Sequence, residues 1–191
     1  VTLVPFNNSS AVNVNEGILS LNGGTNSGPF RVEAGATLRL NGGTYSLLPG
    51  VAFGGPGTLQ IQSNSRLALA TDLNFGTLNV LFEGFSTVTG PFKLSNSAGG
   101  AITFNTAVTI PGSLEIGGTL AIPATNLTVQ INGTLTLAPS ATLNNAGTLR
   151  VGAFQNNGGT IIGNAPQITG LASQSIQILS LALSPIRDQS A

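Results

Sequence analysis

The sequence predicts an all-β protein, a single-stranded parallel β-helix (β-solenoid) with about three short strands per coil and a coil period of about 21 residues. Three observations carry this expectation. Words of four or five residues with alternating apolar side chains recur along the chain, bounded by Gly, Asn or Pro. The 3.6-residue apolar periodicity of a helix is missing over almost the whole length. Leucines also return at a near-constant interval: Leu38 to Leu59 is 21 residues, Leu59 to Leu78 is 19, Leu114 to Leu135 is 21, Leu120 to Leu143 is 23 and Leu127 to Leu149 is 22. An antiparallel sandwich needs no such long period, whereas stacked coils do.

The words justify themselves in chain order. GILSL at 17–21 and ATLRL at 36–40 alternate leucine with small or polar residues, as half-buried strands do. The Asn41-Gly42 that follows would mark a hairpin in isolation. Between two stacked words it is expected to be a corner, with Gly supplying positive φ. GTLQI at 57–61, RLAL at 66–69 and GTLNV at 76–80 continue the series. Residues 79–98 fit it less well, and Phe82, Phe85 and Phe92 are expected to fill the core of an enlarged coil there. AITF, AVTI, SLEI, GTLAI, LTVQI, GTLTL and GTLRV then run from 101 to 151. Pro49, Pro56, Pro111, Pro123 and Pro139 fall in the breaks, as a residue without N–H must when strands are paired on both sides. The whole length would make about nine coils, a rod of roughly 40 Å. Residues 1–166 are read as the repeat array. Residues 167–191, with the apolar run Ser175–Leu183, are read as a capping or subunit-docking segment that covers the open strand edge of the last coil.

Composition narrows the function classes. Only 6 % of the 191 residues are charged, and six Lys and Arg offset six Asp and Glu. The cations Arg31, Arg39, Arg66, Lys93, Arg150 and Arg187 are scattered, so no nucleic-acid partner is expected, since a phosphate-backbone binder needs several acting together. No stretch reaches the ~20 apolar residues of a membrane helix, and no membrane span is expected in this chain. Zero Cys removes disulfides and thiolate metal sites, and zero His removes the commonest ligand and neutral-pH base.

The segments FNNSSAVNVNEGILSLNGG, FRVEAGATLRLNGGTYSLLPG and FGGPGTLQIQSNSRLAL resemble the repeat units of large secreted bacterial β-solenoid proteins, the autotransporter-passenger and filamentous-haemagglutinin-like group. The resemblance spans roughly residues 6–165. It implies a parallel β-helix, an extracellular or cell-surface location, and roles in display, adhesion or fibre building.

Reactive groups are sparse. The acids are Glu16, Glu33, Asp72, Glu83, Glu115 and Asp188, and no two lie within ten residues of each other, so no carboxylate metal site is read from them. Glu16 and Glu33 are expected in adjacent coils, near Arg31 and Arg39, as a solvated or ion-paired face. Lys93 and Ser95 alone do not make a nucleophile and its base. No catalytic, cofactor-binding or metal-ligating residues and no cofactor are assigned, and the chain is read as a non-enzyme. The expected function is an extracellular structural protein: a β-solenoid fibre subunit associating end to end, or a rigid stalk on the cell surface. The alternative is an adhesin or glycan-binding module, with Asn, Thr and Tyr45 offering neutral hydrogen bonds along a groove. A polysaccharide-processing enzyme ranks third. Asn7, Asn8, Asn126 and Asn132 satisfy the glycosylation acceptor rule.

Overall fold

The computed structural model describes residues 5–170, which form a β-solenoid of about seven turns whose ladders are all parallel. Each coil gives one strand to each of three walls. The second wall is one eight-stranded sheet: Ile18–Leu21, Thr37–Asn41, Thr58–Gln62, Asn79–Phe82, Ala101–Phe104, Thr119–Ile122, Thr142–Asn145 and Thr160–Gly163. Its rungs advance by 18 to 23 residues, from Ile18 to Thr37, Thr58, Asn79, Ala101, Thr119, Thr142 and Thr160. Eight rungs at strand spacing span about 34 Å. The estimate of nine coils counted residues outside 5–170, and the segment expected to cap the rod lies mostly beyond Gly170, outside the described residues.

The other two walls are each interrupted once. The first contains Val12–Val14, Pro29–Val32 and Ala52–Gly54 as one sheet, then resumes as another at Leu73–Asn74, Leu94–Asn96 and Leu114–Ile116. The third runs through Gly24–Asn26, Thr44–Leu47, Arg66–Leu69 and Thr87–Thr89, breaks, and resumes at Val108–Ile110. Two long strands, Thr128–Leu137 and Thr148–Asn156, then cross from the third wall into the first, with a register shift between Ile131 and Thr134. Gln167–Ile168 still pairs with Arg150–Val151.

The tube is filled by columns of like side chains, because a parallel in-register ladder stacks every inward residue on its equivalent. One column reads Leu38, Leu59, Val80, Ile102, Leu120 and Leu143, all fully buried. Burying each contributes about 2 kcal/mol. Phe6, Phe30, Phe53 and Phe75 form an aromatic column with centroids 6.5, 5.3 and 6.0 Å apart. The Phe30 and Phe53 rings are stacked, only 9° from parallel. This column also bridges the break in the first wall.

The recurrent Gly-Thr-Leu word has a steric cause. A Cβ added at Gly57, Gly118 or Gly147 would lie 2.5, 2.1 or 2.7 Å from the carbonyl oxygen of Glu33, Gly100 or Leu127 in the preceding coil. The chain enters these strands in contact with the coil beneath, Thr then faces outward, and Leu turns in. Gly76-Thr77-Leu78 is the word out of phase. Its strand begins at Asn79, so Leu59 pairs with Val80 rather than Leu78, which is buried in the preceding turn. Leu149 likewise pairs with Val129, not Leu127. The pairings Leu38–Leu59, Leu114–Leu135 and Leu120–Leu143 stand as the sequence spacing has them.

Asn41-Gly42-Gly43 is a corner, with φ of 81° and 76° at the two glycines, and its flanking strands lie on different walls. Phe82 is buried against Phe104 at 4.9 Å, and Phe92 packs half-buried on the core. Phe85 departs from expectation. It is 78 % exposed, because a left-handed backbone carries it out of the tube instead of into it.

Candidate functional site

Charged and amide side chains form ladders along the walls. On the second wall Arg39 Nε donates to Gln60 Oε1 at 2.8 Å, and Gln60 Nε2 donates to Glu83 Oε2 at 2.6 Å. Asn105 Nδ2 reaches Glu83 Oε1 at 3.4 Å. On the first wall Lys93 Nζ pairs with Glu115 Oε2 at 2.7 Å, while the Lys93 backbone N–H donates to Asp72 Oδ1 at 2.9 Å. The hydrogen bond and charge of Glu115 push the Lys93 pKa above its ordinary value. Asp72, Lys93 and Glu115 are remote in sequence yet fall on successive rungs. Their intervals of 21 and 22 residues match the coil period, the signal that connects them. Arg31 Nε pairs with Glu33 Oε1 at 2.5 Å on the surface. Glu16 and Glu33 occupy the same corner of successive coils, after Val12–Val14 and Pro29–Val32.

Tyr45 is not on a groove. Its ring is buried in the third wall, where the hydroxyl donates to Leu21 O at 2.6 Å and accepts from Asn41 N at 3.0 Å. Burial raises its pKa above the ordinary phenol value, against the lowering effect of backbone donors at Gly23 and Asn41. Of the four acceptor-rule asparagines, Asn7, Asn126 and Asn132 are exposed and Asn8 is buried.

The corner between the second and third walls is built alike in successive coils. Ser65 Oγ lies 2.8 Å from Leu40 O and 2.5 Å from Gln62 O. One coil on, Ser86 Oγ lies 2.8 Å from Ile61 O and 2.6 Å from Glu83 O. Each serine closes a pair of left-handed residues: Ser63 and Asn64 with φ of 57° and 62°, then Gly84 and Phe85 with φ of 53° and 59°. Beside Phe85 runs a groove of about 470 Å³, lined by Thr87, Val88, Thr89, Ala107 and Thr109. It lies over the interruption in the third wall, where no ladder joins Thr87–Thr89 to Val108–Ile110.

The two ends of the rod are the other distinctive surfaces. Ile161 and Phe154 on the last described rung are only partly buried, although Leu143 and Leu135 directly beneath them are sealed. Ile162 and Ile168 are 52 % and 46 % exposed, and Ile18 on the first rung of the second wall is 58 % exposed.

No protein-family model matches the chain, and no curated protein or solved structure matches it either.

Proposed function

We propose that this protein is a structural β-solenoid whose product is shape: a fibre subunit stacking end to end, or a rigid stalk displayed outside the cell. The single observation that carries this reading is the uninterrupted eight-stranded parallel wall, with the strands of its first and last rungs unpaired on their outer side among the described residues. Such edges are templates for adding another strand, so the natural partner is a second copy of the chain. Affiliation with the secreted autotransporter-passenger and haemagglutinin-like group belongs to this proposal. It rests on the Gly-Thr-Leu words and on a surface solubilised by Asn, Ser and Thr rather than by charge. Electron microscopy of the purified full chain over a concentration series tests it. Filaments with a coil-spaced axial repeat, or single straight rods of constant width, support the fibre and stalk forms respectively. Collapsed or irregular particles overturn both.

The adhesive reading has one observation in its favour, the exposed ring of Phe85 beside its groove. The polysaccharide-processing reading ranks below both, and polysaccharide turnover abolished in Glu16→Gln would reverse that order.

A further inference from the structure

We propose that the groove beside Phe85 is a carbohydrate-binding site, in which the ring stacks on the apolar face of a pyranose and the threonines of the third wall hydrogen-bond its hydroxyls.

The first argument is that Phe85 contradicts the fold's own rules. Its φ of 59° is a left-handed geometry that Gly and Asn adopt readily and a bulky side chain does not. The equivalent position one coil earlier holds Asn64, and one coil before that Gly43. Phe85 therefore strains the corner, and at 78 % exposure it recovers no burial in return. A large apolar ring held in water at the expense of local stability is accounted for by something that covers it.

The second argument is the floor of the groove. The third wall is interrupted between Thr87–Thr89 and Val108–Ile110, so backbone polar groups that a ladder would consume are left along the groove. The outward hydroxyls of Thr87 and Thr109 make no hydrogen bond among the described residues. Thr89 Oγ1 is only weakly engaged, 3.4 Å from both Leu67 O and Arg66 Nε. A site with one aromatic platform, several hydroxyls, open backbone groups and no carboxylate among its lining residues suits a ligand that is apolar on one face and rich in hydroxyls at its rim. Sugar rings have that character, because their axial C–H groups carry partial positive charge and settle on the negative face of an aromatic ring. Arg66, at the margin through Thr89, lets the same site take a uronate carboxylate.

Retention of the full chain on immobilised cellulose, chitin, xylan, dextran, alginate and polygalacturonate tests the proposal, with Phe85→Asn and Phe85→Ala run beside wild type. The expected result is retention on at least one polymer that falls tenfold or more in both variants, while the melting temperature of Phe85→Asn is equal to or above wild type. Retention on alginate or polygalacturonate that also falls in Arg66→Gln identifies an acidic sugar; retention on the uncharged polymers identifies a neutral one. No retention on any polymer, or retention unchanged in Phe85→Asn, overturns the site. Rod or filament images of Phe85→Asn indistinguishable from wild type keep this result separate from the structural reading.

Discussion

Tyr45→Phe isolates one buried hydroxyl and nothing else. The ring stays, so no cavity opens, but Leu21 O loses its donor and the Asn41 N–H loses its acceptor inside the tube. Each buried backbone group left without a partner costs about 1–3 kcal/mol, so the pair costs about 2–6 kcal/mol. For a chain of this size that is a fall in Tm of about 4–24 °C. Alkaline pH supplies a second readout. Because burial holds the folded pKa above the ordinary phenol value, the unfolded chain releases its proton first as pH rises past about 10. Between the unfolded and folded values the unfolded state binds fewer protons, so stability drops with pH, and Tyr45→Phe loses that part of the drop. The chain has one Tyr and no Trp, so the tyrosinate ultraviolet band reports this residue alone. The assay is thermal and urea unfolding by circular dichroism across neutral to alkaline pH, with the ultraviolet titration alongside. A folded protein whose phenol titrates at the ordinary pH, or a variant that loses less than about 0.5 kcal/mol, would refute the reasoning.

Other substitutions probe the stacking itself. Leu59→Ala removes a fully buried side chain between Leu38 and Val80 and is expected to cost about 3 kcal/mol, read as a lower urea midpoint with an unchanged slope. Gly152→Ala places a Cβ 2.1 Å from Asn132 O, so the coils must part at that corner, at a cost of about 1–3 kcal/mol. The same change at Gly35, where no atom lies within 4 Å, meets only the strain of its positive φ, and comparing the two melts separates clash from conformation. Lys93→Met is expected to cost less than about 1 kcal/mol, because both partners of the Glu115 pair are about half exposed. With the Lys93 pKa raised, the pair's contribution is complete below the ordinary lysine value and fades as pH climbs through the folded one, so wild type and variant converge in strong alkali.

The period was legible because inward leucines stack directly, and a column of identical side chains writes its interval into the sequence. The phase was not legible everywhere. Gly76-Thr77-Leu78 has the composition of a strand entrance, but its leucine is buried from a turn, and composition does not distinguish the two burials. Phe85 was misplaced for a related reason: apolar content predicts burial, while the corner geometry inherited from Ser63-Asn64 turns the side chain outward. The ladders Arg39–Gln60–Glu83 and Asp72–Lys93–Glu115 could have been found by applying the leucine interval to polar residues. Tyr45 could not. A lone tyrosine in a strand is equally consistent with an outward groove and with an inward hydroxyl that closes one backbone group of the preceding coil, Leu21 O, and one of its own coil, the Asn41 N–H.

The two interruptions in the walls fall at neighbouring levels, one between the third and fourth coils on the first wall and one between the fourth and fifth on the third wall, while the second wall runs past both unbroken. Across those two levels the hydrogen-bond ladder of the second wall carries the axial continuity, helped on the first wall by the packed rings of Phe53 and Phe75, and the solvent-facing ring of Phe85 sits at that same level.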